Sequence, residues 1–402
     1  VVLEGECSHV DDSAHLYDIN DSLSELMNIP DSFTDVHDEQ FPLVITFEKF
    51  LLMLDGTIPQ SYFARFRDVT DIWLHEGGQS KSLALLAFIK RKEVVFDRFH
   101  SFYWPHFDAK KTKKLDALTV FSQIISHIKG GYESGAELDC TLSRSQYLML
   151  SQKRVSTLNL EEREVIYDIF LDYEKRKLES GDFDLSDLII NLHYRLKNQP
   201  YRGKKLDFVF VDEVQDLTMR QIALFKYVCS NVCHGFIFAG DTAQTIAKGV
   251  DFRFQEIRSL FYREFLSEFS TFSMEKVKDR DLKMSDLFFL DQNFRTHDGV
   301  LKLARTVIEL IYNFFPMSVD ILSPEVSLIC GEVPIVLESG SNENIMIKIF
   351  GGNGNFTAKF EGFGAEQVIL VRDDCMKKLV VDHVGNQALV LTIVECKGLE
   401  FQ

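Results

Sequence analysis

The 402 residues are 46% hydrophobic and 26% charged with only 8 prolines, which excludes a disordered chain and leaves room for two or three domains. A net charge of -17 excludes a surface that coats nucleic acid all over, while leaving open a local basic groove on an acidic body. Seven cysteines, among them Cys7, Cys140, Cys330 and Cys375, fall in no paired framework, which argues for reduced thiols inside the cell and against a secreted scaffold.

Residues 1 to 40 are acidic and weakly periodic, with "HVDDS" and "DVHDEQ" marking loop or linker. "FPLVITFEKFLLML" then reads as a strand-like run entering an apolar helix. From about residue 60 to 180, "LALLAFIKRKEVVFDRF", "KLDALTVFSQIISHI" and "LEEREVIYDIFLDYEKRK" carry apolar residues three and four apart, the period of helices with one buried face. From about 181 the texture changes to short apolar runs between helices. "LDFVFV" leads to a helix, "TMRQIALFKYVCSNV", followed by "GFIFAG", "LFFLDQNFR", "VPIVLES", "QVILVRDD" and "ALVLTIVE". Apolar strands alternating with helices predict parallel sheets covered on both faces, with polar chemistry at the carboxyl ends of the strands. "GGNGN" at 351 to 355 reads as a turn, and no run approaches the roughly 20 apolar residues of a bilayer span. With Val1 at one end and the unfinished pattern "CKGLEFQ" at the other, the chain reads as part of a longer one.

"FVFVDEVQD" ends an apolar strand in Asp212 and Glu213, with Asp216 close behind. That is the Walker B arrangement, in which one acid holds magnesium through its water shell and the next polarises the attacking water. The plainer alternative is that the acids cap the following helix, for which Asp216 and Thr218 are well placed. A second strand, in "GFIFAGDTAQTI", delivers Gly240, Asp241 and Gln244 to the same edge, which capping does not account for. "FFLDQNFRTHDGVLKLA" ends a strand with Asn293 and Arg295, whose guanidinium can give a phosphate two hydrogen bonds at once. "LTIVECKGLEF" carries Lys397, Gly398 and Glu400.

In order and spacing these four segments resemble motifs II, III, IV and V of superfamily 1 helicases of the UvrD/Rep/PcrA group. "VDEVQD" is similar to that family's DExQD, "GDTAQTI" to GDxxQSI, "QNFRT" to QNYRS and "ECKGLEF" to xxKGLEF. "FDLSDLIINL" resembles its DFxELL segment and "VITFEKFL" its TFHxx segment. Within the group, "PLVITFEKFLLMLDGT" through "FYWPHFDAKKTKKLD" is similar to the helicase-like region of large TPR and ankyrin repeat-containing proteins.

The resemblance implies an α/β fold of two RecA-like P-loop NTPase cores. Residues 1–55 and 181–280 would form the first core, 56–180 a helical insertion in it, and 281–402 the second. ATP and Mg2+ would sit between the cores and a single strand of DNA or RNA across their tops. Asp212 would hold magnesium, and Glu213 would orient and activate water. Gln244 would sense the γ-phosphate, Arg295 would contact it from the second core, and Glu400 would approach the ribose, with Gln215, Asp241 and Gly398 also on the nucleotide side. Thr46, Phe47, Thr392 and Lys397, in matched segments, are expected on the nucleic-acid side.

The departures bear on activity. No GxxxxGK[ST] occurs; the nearest decoy, "EGGQSKS" at 76 to 82, has Ser80 where a glycine belongs and follows no apolar strand. The family's last motif would lie beyond Gln402, so these residues alone should hydrolyse ATP poorly or not at all. Glu48 and Val394 stand where the family has histidines, and "AKGVDFRFQ" offers Phe252 and Phe254 in place of the aromatic and Trp-Arg after motif III. Only 17 residues separate Asp374 from Thr392, where such enzymes insert a subdomain, so unwinding is less expected than hydrolysis.

"FHSFYWPHFDAKKTKK" sets Phe102, Tyr103, Trp104 and Phe107 beside Lys110, Lys111, Lys113 and Lys114, a composition suited either to holding a single strand or to filling a helical core. "CSNVCH" offers Cys229, Cys233 and His234 but no second ligand pair, so packing is the better reading there than zinc. "SLFYREFLSEFSTF" reads as core. The favoured function is part of an ATP-dependent helicase or translocase, in the nucleus or the cytoplasm with the activity class pointing to the nucleus, and with protein partners reached through flanking regions. The alternatives are a degenerate helicase-like module for interaction or regulation, and a metal-dependent nuclease on Asp212, Glu213, Asp216 and Asp241.

Overall fold

The computed structural model describes residues 29–75, 78–131, 140–153, 158–266, 286–316, 319–336, 368–384, 389–397 and 399. They fall in two compact units, one comprising 1–287 with 316–320, the other 288–315 with 321–402.

In the first unit α1 (Phe47–Thr57) starts where the Thr46 hydroxyl accepts the Lys49 N–H at 3.2 Å and buries Phe50, Leu51, Met53 and Leu54. The strand expected just before it does not form. Residues 41–46 pair with no strand, and Leu43 and Ile45 lie against the core, so side-chain burial alone satisfies their apolar alternation. Next come α2 (Arg67–His75) and α3 (Gly78–Lys92). Then α4 (Ala117–Ser122), capped by Asp116 on the Thr119 N–H at 2.9 Å, continues into a π-helical segment, Gln123–Lys129. With α5 (Arg144–Lys153) and α6 (Leu160–Glu179), α4 and the π-helical segment enclose a core of their own around Phe99, Ile124, Tyr147, Ile166 and Tyr173.

A capping box of Asp184 and Asp187 opens α7 (Leu185–Asn198). The same two acids, with Glu174 of α6, receive the buried ammonium groups of Lys129 and Lys177. Lys129 Nζ lies 2.7, 2.6 and 2.9 Å from Asp184, Asp187 and Glu174, and Lys177 Nζ lies 2.6, 2.6 and 2.8 Å from them. Burial works to raise the Asp184 pKa, but Lys129 and Lys177 override it and hold the carboxyl below its ordinary value. This network ties the π-helical segment to α6 and α7.

Beyond α7, β1 (Val209–Val211) pairs in parallel with β2 (Phe236–Phe238), Val211 opposite Phe238. Between them lie α8 (Met219–Ala223) and α9 (Phe225–Val228), and after them α10 (Phe254–Leu260). Residues of α1, α7, α8, α9 and α10 share the larger core of the unit.

The second unit holds β3 (Gln292–Asn293) parallel to β4 (Val326–Ser327), α11 (Asp298–Phe314), and β5 (Val368–Val371) parallel to β6 (Leu389–Thr392) across α12 (Asp374–Val384). "LFFLDQNFR" thus pairs only at Gln292 and Asn293, and "VPIVLES" pairs nowhere up to residue 336, the rest of it lying outside the described residues, as does "GGNGN". The fold is of the mixed helix and strand kind, α/β, with three small parallel sheets among the described residues. The sheets are not covered on both faces as expected: Phe208, Phe210 and Ile237 are 62%, 70% and 57% exposed among the described residues. No helix among the described residues is long and apolar enough to cross a membrane.

Candidate functional site

The ladder of β1 and β2 runs past the strands themselves. Ala239 N–H bonds Val211 O at 2.8 Å and Val214 N–H bonds Ala239 O at 2.9 Å, so the two carboxyl ends leave the sheet side by side. Asp212 comes first and is exposed, its Oδ1 accepting the Glu213 N–H at 2.9 Å. Glu213 takes φ 52°, ψ 38°, the left-handed region that a branched or long side chain rarely occupies outside functional sites.

Gln215 is fully buried and braces the turn. Its Nε2 donates to Glu213 Oε2, and its Oε1 accepts the Asp241 N–H of the neighbouring strand end at 3.0 Å. Gly240 must be glycine for this brace, since a Cβ there would collide with Gln215 Oε1 and come within 3.0 Å of Val214. Asp241 Oδ1 caps the short turn that follows by accepting the Ala243 N–H at 2.9 Å, and its Oδ2 accepts Gln244 Nε2 at 2.9 Å. Glu213, Gln215, Asp241 and Gln244 are therefore one hydrogen-bonded row across two adjacent strand ends.

The π-helical segment supports the same region. Ser126 Oγ donates to Gly249 O at 2.6 Å and accepts the Asp251 N–H at 2.9 Å, while His127 Nε2 lies 3.0 Å from Asp251 Oδ2. Gly249 has φ 96°, and a Cβ on it would press into the Phe121 ring at 2.8 Å. On the other side, Gly130 O and Gly131 O accept the Arg220 N–H and Nε–H at 3.0 and 3.2 Å. The segments following both acid-bearing turns thus rest on one element. Sequence reasoning missed Ser126 and His127, whose partners lie more than a hundred residues away and leave no local pattern.

In the second unit, Asn293 Oδ1 accepts the N–H groups of Arg295 and Thr296 at 2.9 Å each, while its Nδ2 donates to Glu325 at 2.8 Å. Arg295 is exposed and lines a recess of about 410 Å³ with Leu290, Gln292, Asn293, Phe294 and Glu325. Thr392 is buried, its hydroxyl accepting the Glu395 N–H at 3.1 Å, and Lys397 is half-buried. A hydrogen bond from Lys377 holds the Glu395 carboxyl below its ordinary pKa. Gly398 and Glu400 lie outside the described residues.

Thr46 is spent as the cap of α1, and Phe47 stacks on Phe50 with ring centroids 5.8 Å apart. Phe252 is inside the core, edge-on to Phe254 at 5.2 Å, which takes its ring out of reach of a base and leaves Phe254, half-buried, as the accessible one. Trp104 packs at a tilt against Phe99, Lys110 is exposed, and Lys111 pairs with Asp168 at 3.3 Å. Among the described residues, a set of three acids with ligand atoms within 4.8 Å of one another occurs at Glu174, Asp184 and Asp187, where the two lysines already lie, and not at Asp212, Glu213, Asp216 and Asp241.

Two parallel strands thus carry acids and a glutamine to one edge of a sheet in an α/β fold. A family model described as the UvrD/REP helicase N-terminal domain matches residues 68–269, half of the chain. The chain belongs to the UvrD/REP helicase family. It is 32% identical over 395 residues to TPR and ankyrin repeat-containing protein 1 of Homo sapiens, covering 91% of this chain and 13% of that protein. To the ATP-dependent DNA helicase PcrA of Bacillus subtilis it is 26% identical over 153 residues, 36% of this chain and 18% of PcrA. A probable DNA helicase II homolog of Mycoplasma pneumoniae is 25% identical over 157 residues, 37% of this chain and 19% of the homolog. The chain therefore spans less than a fifth of each of these relatives.

Proposed function

We propose that the chain is part of the motor region of a superfamily 1 helicase or translocase, in which two RecA-like cores hydrolyse ATP to move along a single strand of DNA or RNA. The observation that carries this reading is the bonded row Glu213, Gln215, Asp241 and Gln244 at adjacent parallel strand ends. A nuclease needs paired metal-ligating acids; a nucleotide site needs one acid for the ion, one for the water and a polar group that senses phosphate.

Asp212 fits the first role, being exposed with only Oδ1 engaged among the described residues. A magnesium ion held there would neutralise charge on the nucleotide phosphates. Glu213, fixed by the left-handed turn and by Gln215, orients the attacking water and takes its proton. Gln244, held by Asp241, reports the γ-phosphate to the loop that Ser126 supports. Arg295 would supply a guanidinium for the same phosphate. Catalysis of this kind works by positioning and charge neutralisation.

The test is magnesium-dependent ATP hydrolysis by this chain and by one extended at both ends, with and without single-stranded DNA or RNA, beside Glu213→Gln. Strand-stimulated turnover by the extended chain that the substitution abolishes supports the motor. No turnover by a well-folded extended chain that carries a P-loop favours the second reading, a helicase-shaped interaction module. That reading has its own support: Glu48, in place of the family's histidine, lines a cavity together with a second acid, Glu93, and a pair of acids repels a phosphate backbone.

A further inference from the structure

Between α1, α3 and the start of α7 lies a cavity of about 140 Å³, walled by Phe47, Leu51, Phe63, Ile89, Phe183 and Leu188. Two acidic residues, Glu48 and Glu93, also line it. Glu93 follows directly on α3, and its backbone is fixed there: its N–H bonds Ile89 O at 2.8 Å, and it bridges Phe183. Its side chain has no hydrogen-bond or ion-pair partner among the described residues. An acid in apolar surroundings without a partner is costly in its charged form, and burial, then Glu48 and Asp184, push its pKa up to about 7.

We propose that this cavity is a binding site for a small organic cation, a primary ammonium on a short apolar stem, whose charge Glu93 receives while the phenylalanine and leucine walls take the stem. The volume is of the order that holds one benzene-sized molecule, so a four-carbon chain or a lysine side-chain end fits. Anions are disfavoured by the two acids, and a neutral alkyl group would leave the Glu93 charge without a partner. The site is independent of nucleotide chemistry and stands or falls apart from it.

The experiment is a methyl NMR titration of the chain at about pH 8, where Glu93 is ionised, following Leu51, Leu52, Ile89 and Leu188. n-Butylammonium, its neutral isostere 1-butanol and the tripeptide Gly-Lys-Gly are the probes. Saturable shifts with butylammonium are expected, with 1-butanol and the Glu93→Gln variant each weaker by roughly tenfold or more. Glu48→Gln should weaken binding less, because that side chain is exposed. Shifts with both cations assign the site to lysine side chains as well as free amines, and shifts with butylammonium alone restrict it to free amines. Equal affinity for butanol and butylammonium, or no saturable shift with butylammonium at tens of millimolar, would overturn the proposal. The butanol comparison uses the unaltered chain and so does not depend on how the variants fold.

Discussion

Glu213 occupies a backbone region that costs a non-glycine residue roughly 1–2 kcal/mol, and the turn keeps it there because β1, Gln215 and the Ala239 carbonyl fix both sides. Glu213→Gly relieves that strain but takes from the buried Gln215 amide the acceptor on Glu213. The two effects oppose each other, so chemical-denaturation stability should change by less than about 1 kcal/mol in either direction, while strand-stimulated turnover of an extended chain disappears. A loss of more than about 1 kcal/mol would mean that the turn is held by the carboxylate and not by its neighbours. Glu93 yields a prediction of the opposite kind. Its folded pKa of about 7 lies above the ordinary 4.5, so the native state holds the proton more tightly. Stability from this group is greatest at acid pH and is lost as pH rises from about 4.5 through 7. Glu93→Gln removes that loss, and the variant should exceed the parent by roughly 2–3 kcal/mol near pH 8 and match it near pH 4.5, read from urea midpoints across pH.

At the scale of elements, the π-helical segment Gln123–Lys129 and the Gly130 that ends it are held at three points: by Ser126 to Gly249 and Asp251, by Gly130 to Arg220, and by Lys129 to three acids. Removing one cation from this buried network leaves three acids facing the single ammonium of Lys177. Lys129→Met should destabilise the chain by about 3–5 kcal/mol in denaturant melts and raise amide exchange in residues 241–251 more than in β1. Because Asp184 is held below its ordinary pKa of 3.8, the network's contribution is intact above that value and is lost as pH falls further below it. Elements with local periodicity were legible in the sequence: the capped helix at Leu160–Glu179 and the runs that became β1, β2, β5 and β6. "FPLVITF" was misleading because alternating burial looks the same with or without a paired ladder. The acids at the strand ends were readable for the same local reason. The brace through Gln215 and the support from Ser126 were not, since they join residues 26 and 123 apart in the chain.

On the scale of the whole molecule, the two units differ in what holds them. Among the described residues, the first contains two extensive buried clusters and a charge network, whereas the buried apolar cluster of the second consists of Val371, Val380 and Val390. Phe288, Leu290, Phe294 and Phe314 of the second unit are 88%, 95%, 77% and 72% exposed, and α11 is apolar along a face that nothing described in its own unit covers. Hydrophobic burial scales with area removed from water, so three valines supply only a few kcal/mol against the entropy of ordering their strands. Opening of β5 and β6 should therefore be local and frequent. Hydrogen exchange followed by mass spectrometry should show amides of Val368–Val371 and Leu389–Thr392 exchanging roughly a hundredfold or more faster than those of α7, whose Leu188, Ile189 and Leu192 are buried. Addition of a nucleotide and single strand to an extended chain should slow exchange at β6 and at Arg295 if both serve the proposed motor. Slow exchange in β5 and β6 without any addition would require burial beyond those three valines, and would locate the stability of this unit in segments other than β5 and β6.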